Sequence, residues 1–137
     1  MKKVLVLLTI GLALSCSKEE DNVILTDSQI ILGNWTLVQA GEINRELEIT
    51  LRELDACSDQ LSLTFYENNT VKLNGCFEGE PLIETINWNI QGNVLNLKDL
   101  EYDINLDTVI MELSEGTLEL RGEFIGNVPT SYELYTR

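Results

Sequence analysis

Leu61-Ser62-Leu63-Thr64-Phe65-Tyr66-Glu67-Asn68-Asn69-Thr70-Val71-Lys72-Leu73-Asn74-Gly75-Cys76 decides how the rest of the chain is read. Leu61, Leu63 and Phe65 alternate with more polar residues, a period of two that gives an extended strand one apolar face. Glu67-Asn68-Asn69-Thr70 supplies small polar side chains that bond nearby backbone and tolerate tight turns. Val71 and Leu73 then resume the alternation up to Gly75 and Cys76. Two half-apolar strands joined by so short a turn pair antiparallel.

Downstream the same period recurs. Ile86, Trp88 and Ile90 share a face, Gln91-Gly92-Asn93 turns, and Leu95 and Leu97 follow. Val109, Met111 and Leu113 form another alternation, broken by Ser114-Glu115-Gly116. Leu118, Leu120 and Gly122 continue it, and Gly126-Asn127-Val128-Pro129 turns the chain into residues 131–137. Upstream, Trp35 and Leu37 alternate within 34–39, after Thr26-Asp27-Ser28, which reads as the cap of a short helical turn. Residues 43–56 break the period. Ile43, Leu47, Leu51 and Leu54 recur at helical spacing in a segment rich in Glu, Leu and Arg, which predicts a short helix at 46–55. Leu47, Ile49 and Leu51 also alternate as a strand would.

These elements add up to an all-β domain of eight short strands with one short helix after the first strand. A meander with one apolar face removes its edges by closing, so an eight-stranded antiparallel up-and-down barrel is expected. Its inward residues include Trp35, Leu37, Phe65, Trp88, Met111 and Leu120, as core or as ligand lining. An eight-stranded interior is either filled by side chains or holds one small ligand.

The N-terminus reads differently. Lys2 and Lys3 precede an apolar run from Val4 to Leu14, the layout of a secretory signal and too short to span a bilayer. Ser15-Cys16 resembles the lipobox of bacterial lipoproteins, where cleavage leaves a cysteine whose thiol takes a glyceride. Residues 1–15 are thus expected to be a signal peptide, and Cys16 the site of lipidation and membrane attachment. Residues 16–28 form an acidic tether, too polar to bury apolar surface. Within it, Lys18-Glu19-Glu20-Asp21 resembles a signal that sends some lipoproteins to the outer face of the outer membrane. Residues 29–137 form the single folded domain.

The 137 residues carry a net charge of −14, and beyond the signal seven basic residues face 23 acidic ones. That argues against nucleic acid, whose phosphates need a basic surface. Anionic headgroups are equally poor partners, so membrane attachment falls to the acyl chains. There is no histidine, which removes Ser-His-Asp and Cys-His chemistry and most zinc sites. No glycine-rich phosphate loop and no Asp-x-Asp-x-Asp-Gly calcium loop occurs. The chain is therefore read as neither an enzyme nor the holder of a metal or cofactor.

With Cys16 assigned to lipid, Cys57 and Cys76 remain as a pair in an oxidising compartment, and a disulfide is expected. Two buried thiols or a metal pair are the alternatives, the metal disfavoured by the lack of histidine and of a Cys-x-x-Cys spacing.

Taken together, these residues resemble the lipocalin-like domains of bacterial lipoproteins. Gly33-Asn34-Trp35 resembles the Gly-x-Trp opening, and Asp55-Ala56-Cys57-Ser58-Asp59 before Leu63-Thr64-Phe65 resembles the family's helix, Cys-x-x-Asp and strand. The Cys57 and Cys76 pairing fits, as do Ile86-Asn87-Trp88 with Leu95-Asn96-Leu97 and the closing Tyr132-Glu133-Leu134-Tyr135-Thr136-Arg137. The strands read as shorter than those of a long-walled lipocalin, and Asn68-Asn69 replaces the usual Asp-Gly. Two functions are consistent with this. One is a lipoprotein whose barrel binds a small hydrophobic or amphipathic molecule. The other is a filled barrel acting through its outer surface as a structural or protein-interaction module at the cell envelope.

Overall fold

The computed structural model describes residues 25–57, 60–125 and 128–137. The expected signal peptide, Cys16, most of the tether, Asp59 and the Gly126-Asn127 turn lie outside those residues. In chain order the elements are α1 (Asp27–Ile30), β1 (Gly33–Ile43), β2 (Ile49–Arg52), β3 (Ser62–Phe65), β4 (Thr70–Phe77), β5 (Glu80–Gln91), β6 (Val94–Asp99), β7 (Ile104–Leu113), β8 (Thr117–Ile125) and β9 (Val128–Thr136).

Every pairing is antiparallel, and each strand from β3 to β9 bonds its sequence neighbour. The barrel closes because β1 pairs β3 on one edge and β9 on the other. Closure leaves no long free edge to aggregate. This is the expected all-β, eight-stranded up-and-down barrel, built of β1 and β3 to β9. β2 is an additional strand that continues along the β3 edge of β1, pairing Ala40 with Arg52 and Ile43 with Ile49.

The helix expected at 46–55 is not formed: Ile49–Arg52 is β2, and the short helix is α1, ahead of β1. Helical spacing lost because the segment has no buried partner for a helical stripe. Leu47, Ile49 and Leu51 stay exposed, while β1 offers an unpaired edge beyond Thr36 where β3 has peeled away. Gly41 permits the close approach, since a Cβ there would lie 2.5 Å from the Thr50 carbonyl oxygen. Leu47 itself adopts a left-handed backbone, φ 64°, in the turn where Asn44 Oδ1 accepts the Glu48 amide at 2.8 Å.

The strands are also longer than their alternation suggested. β5 has 12 residues, β1 has 11 and β7 has 10. Their added residues, such as Glu80-Pro81 and Ile104-Asn105, project beyond the core and so carry no clean apolar period. Pro81 and Pro129 each stand second in a strand, where a missing amide donor is tolerated.

The core is one cluster built from the inward rows: Trp35 and Leu37 of β1, Leu63 and Phe65 of β3, Val71, Trp88, Leu95, Ile110, Leu118 and Tyr135. Phe65 and Trp88 meet edge to face at 5.4 Å, a favoured aromatic geometry. Met111 is a correction: it is 50% exposed, while Ile110 is 9% exposed. A bulge in β7 between Ile110 and Glu112 inserts one residue against β8, so Ile110 and Leu113 face inward opposite Leu120 and Leu118. An extra residue inverts every later position, which strict alternation cannot anticipate.

Candidate functional site

The two ends of the barrel differ, and the difference locates the site. At one end the turns after β3, β5 and β7 gather with α1 and the C-terminus. Thr26 opens α1, its amide donating to Gln29 Oε1 at 3.0 Å. The turn delivers Ile31, fully buried, whose carbonyl accepts the Trp35 indole N–H at 2.6 Å. Arg137 lies over the Trp35 ring at 4.5 Å and donates to the carbonyls of Leu32 (2.7 Å), Ile30 (3.1 Å) and Glu115. One cation thus ties the last residue, the segment leading into β1 and the β7–β8 turn together across a tryptophan face. Trp88 does the same for the β3–β4 turn, its indole N–H shared between the carbonyls of Thr70 (3.1 Å) and Tyr66 (3.3 Å). Asn69 there takes a left-handed backbone, φ 60°, a conformation asparagine tolerates. This end is sealed.

At the other end lie the β4–β5 and β6–β7 turns and β2. A cleft of about 500 Å³, half open to solvent, reaches into the barrel, lined by Leu61, Leu63, Leu73, Leu97 and Leu120, with Thr108, Ser131, Glu133 and Tyr135 on its polar side. That volume is in the range of small-molecule sites, and so is the mix of apolar wall and few polar groups. The cavity also reaches Asn105, Leu106 and Asp107. The reason is in the register: the β7–β8 ladder begins only at Val109 and Arg121, although β7 pairs β6 back to Ile104. The first half of β7 therefore leans away from β8, and the interior opens there as well as at the mouth.

Glu133 is the unusual lining residue. The register sets Glu133 opposite Leu120 on β8 and Ala40 on β1, so its side chain shares their inner face. Tyr135, 2% exposed, donates its phenol proton to Glu133 Oε2 at 2.8 Å. Burial, the Glu133 charge and this hydrogen bond together hold the Tyr135 phenol well above its ordinary pKa. The phenol therefore stays protonated and keeps donating. A second, smaller cleft of about 410 Å³ touches Glu133 from the mouth, between Ala40, Glu42, Arg52, Ser131 and Tyr132.

Of the residues singled out in the sequence, Trp35, Leu37, Phe65, Trp88 and Leu120 lie in the core, and only Leu120 among them also lines the cavity. The two tryptophans seal the closed end. Cys57 and Cys76 form a disulfide with Cα atoms 5.1 Å apart. It staples the loop after β2 to β4 where β3 has ended, since the β3–β4 ladder stops at Ser62 and Asn74. Glu133 and Tyr135 escaped the sequence reading. In Tyr132-Glu133-Leu134-Tyr135 the apolar choice is Tyr132 with Leu134, yet pairing with Leu118 and Leu120 turns Tyr135 and Glu133 inward. The signal available was the conflict itself, a carboxylate on a barrel's inner row.

A family profile for the lipocalin-like domain matches residues 31–120. The chain belongs to the lipocalin-like domain family. Among solved structures, a lipocalin-like protein from Bacteroides uniformis has a TM-score of 0.55 at 14% identity, over 79% of this chain and 98% of that one. A bovine odorant binding protein in complex with undecanal has a TM-score of 0.49 at 17% identity, over 86% of this chain and 77% of that one. The first likeness is one of fold. No curated protein sequence matches the chain.

Proposed function

We propose that this chain is a non-enzymatic binding protein, held to a membrane by lipid on Cys16, whose barrel takes up a small apolar or amphipathic molecule. The observation that carries the reading is the leucine-lined interior of about 500 Å³ beside the Glu133–Tyr135 pair. Family membership supports a binding role, and the signal-like N-terminus with Ser15-Cys16 supports export and anchoring at the outer membrane, facing outward.

The binding half is tested by calorimetric titration of single-chain alkyl compounds into the full chain held in phosphatidylcholine nanodiscs, with empty discs as blank. One saturable site is expected, and Leu73→Trp should weaken it at least tenfold by occupying the lining. No saturable uptake in the wild type refutes the reading. For the anchor, Cys16→Ser should abolish incorporation of labelled palmitate, and unchanged incorporation would place the lipid elsewhere.

A further inference from the structure

We propose that the free edge of β5 docks an extended segment of another protein in which apolar and basic residues alternate, adding it to the barrel as a further strand. This surface lies apart from the leucine-lined cleft and does not depend on it. β5 pairs β4 all the way from Asn87 to Glu80, but β6 joins β5 only as far as Asn87, opposite Lys98. Beyond Asp99 the chain turns into β7, so the residues from Pro81 to Ile86 have a strand on one side only. Residues of an antiparallel strand direct their amide and carbonyl alternately to one side and the other. The Trp88 amide donates to the Asn69 carbonyl on the β4 side at 2.9 Å, so Ile86, Glu84 and Leu82 turn the same way. Ile83 and Thr85 therefore direct their backbone groups toward the gap. Pro81 stands in their row, where its missing amide breaks no ladder, the place proline takes on a free edge.

The gap is a notch of about 660 Å³ between β5 and the β6–β7 turn. Leu100, Ile83 and Tyr102 line it, and at 68%, 66% and 65% they are the most exposed large apolar side chains among the described residues. An unpaired edge with apolar flanks suits strand addition, in which main-chain bonds give affinity and the side-chain rows give specificity. Those rows set the chemistry of the occupant. A residue added opposite Ile83 or Thr85 shares their outer face, and one opposite Glu84 shares its inner face. On the outer row, Lys72 is opposite Thr85 and Lys98 is opposite Asn87, so apolar residues fit beside Ile83 and basic ones are repelled. The inner row carries Glu84, with Glu80 farther along it, and Asp99 and Glu101 also line the notch. No lysine or arginine is among its described lining residues, so basic side chains fit there. A second copy of this chain fits poorly. Pairing Ile83 of one copy with Thr85 of the other sets Glu84 against Glu84, between chains that each carry a net charge of −14.

The test uses fluorescein-labelled hexapeptides and the full chain in phosphatidylcholine nanodiscs, read by anisotropy with empty discs as blank. An alternating Lys-Val hexapeptide should bind at least tenfold tighter than its block isomer of three lysines followed by three valines. N-methylation at the valines, whose amides would face β5, should weaken binding at least tenfold, and N-methylation at the lysines should leave it within about threefold. Glu84→Lys should weaken the Lys-Val peptide at least fivefold and strengthen an alternating Glu-Val peptide, with circular dichroism checking that the variant is folded. Equal binding of the block isomer overturns the proposal, since charge alone would then suffice. Equal loss from the two methylation patterns overturns it as well, and so does a Glu84→Lys variant that binds both peptides as the wild type does. A chain that sediments as a dimer in dodecyl maltoside and loses that state in Thr85→Pro overturns it in favour of a second copy.

Discussion

Breaking the Cys57–Cys76 bond is the perturbation whose size follows most directly from the fold. The two residues are 19 apart in sequence. Closing a loop of that length removes on the order of 11 cal/mol/K from the unfolded chain, or about 3 kcal/mol at 25 °C. The folded state should change little. The bond lies near the mouth, where Cys76 pairs with Pro81, while Trp35 and Trp88 occupy the sealed end with Arg137 and the β3–β4 turn. The effect is therefore expected almost wholly in the unfolded state. Urea unfolding of the oxidised protein and of Cys57→Ser/Cys76→Ser should differ by about 3 kcal/mol in extrapolated stability. The near-ultraviolet circular dichroism of the two tryptophans should be unchanged before the transition. A loss under about 1 kcal/mol would mean that the loop after β2 is restrained in the unfolded chain by something else. Altered tryptophan dichroism in the native state would mean that the bond shapes the barrel rather than merely stapling it.

Three further outcomes follow from the same packing. Trp88→Phe keeps the edge-to-face contact but leaves the Thr70 and Tyr66 carbonyls without the indole donor, so urea unfolding should show a loss of about 2 kcal/mol. Ile110→Asn should cost about 3 kcal/mol or more by burying an unpaired amide, while Met111→Asn should stay within about 0.5 kcal/mol; comparable losses at the two positions would contradict the bulge in β7. The Tyr135 phenol titrates above its ordinary value in the fold, because of burial, then the Glu133 charge, then their hydrogen bond. Above about pH 10 the unfolded chain releases that proton and the folded chain retains it. The stabilisation is whole below that pH and falls as pH rises toward the folded pKa. Tyr135→Phe should flatten the alkaline loss of stability, measured by urea midpoints at several pH values.

Much of the architecture was legible locally. Period two around Phe65 and Val71, with turn residues between, fixed which strands pair and that they pair antiparallel, because a short connection allows nothing else. Thr26-Asp27-Ser28 marked a helical turn, since a cap is a matter of a few neighbouring residues. Trp35, Phe65 and Trp88 stood out as core because large aromatic side chains at inward positions have nowhere else to go. The lone pair of cysteines beyond Cys16 left one partner for each.

What the chain alone left open were the places where a distant strand sets the outcome. Residues 49–52 carry apolar spacings that suit a helix or a strand, and the vacant edge of β1 decided for the strand. Ile110 rather than Met111 faces the core because β7 bulges against β8, a property of the pair and not of either strand. Glu133 points inward because Leu118 and Leu120 across the ladder hold the register, overriding the apolar pattern of Tyr132 and Leu134. The hollow at the mouth arises where β7 and β8 part before Val109, so its volume is a property of closure. Alternation along a strand is local and can be read from spacing, whereas register, bulges and cavities are set by pairing energies summed across strands far apart in sequence.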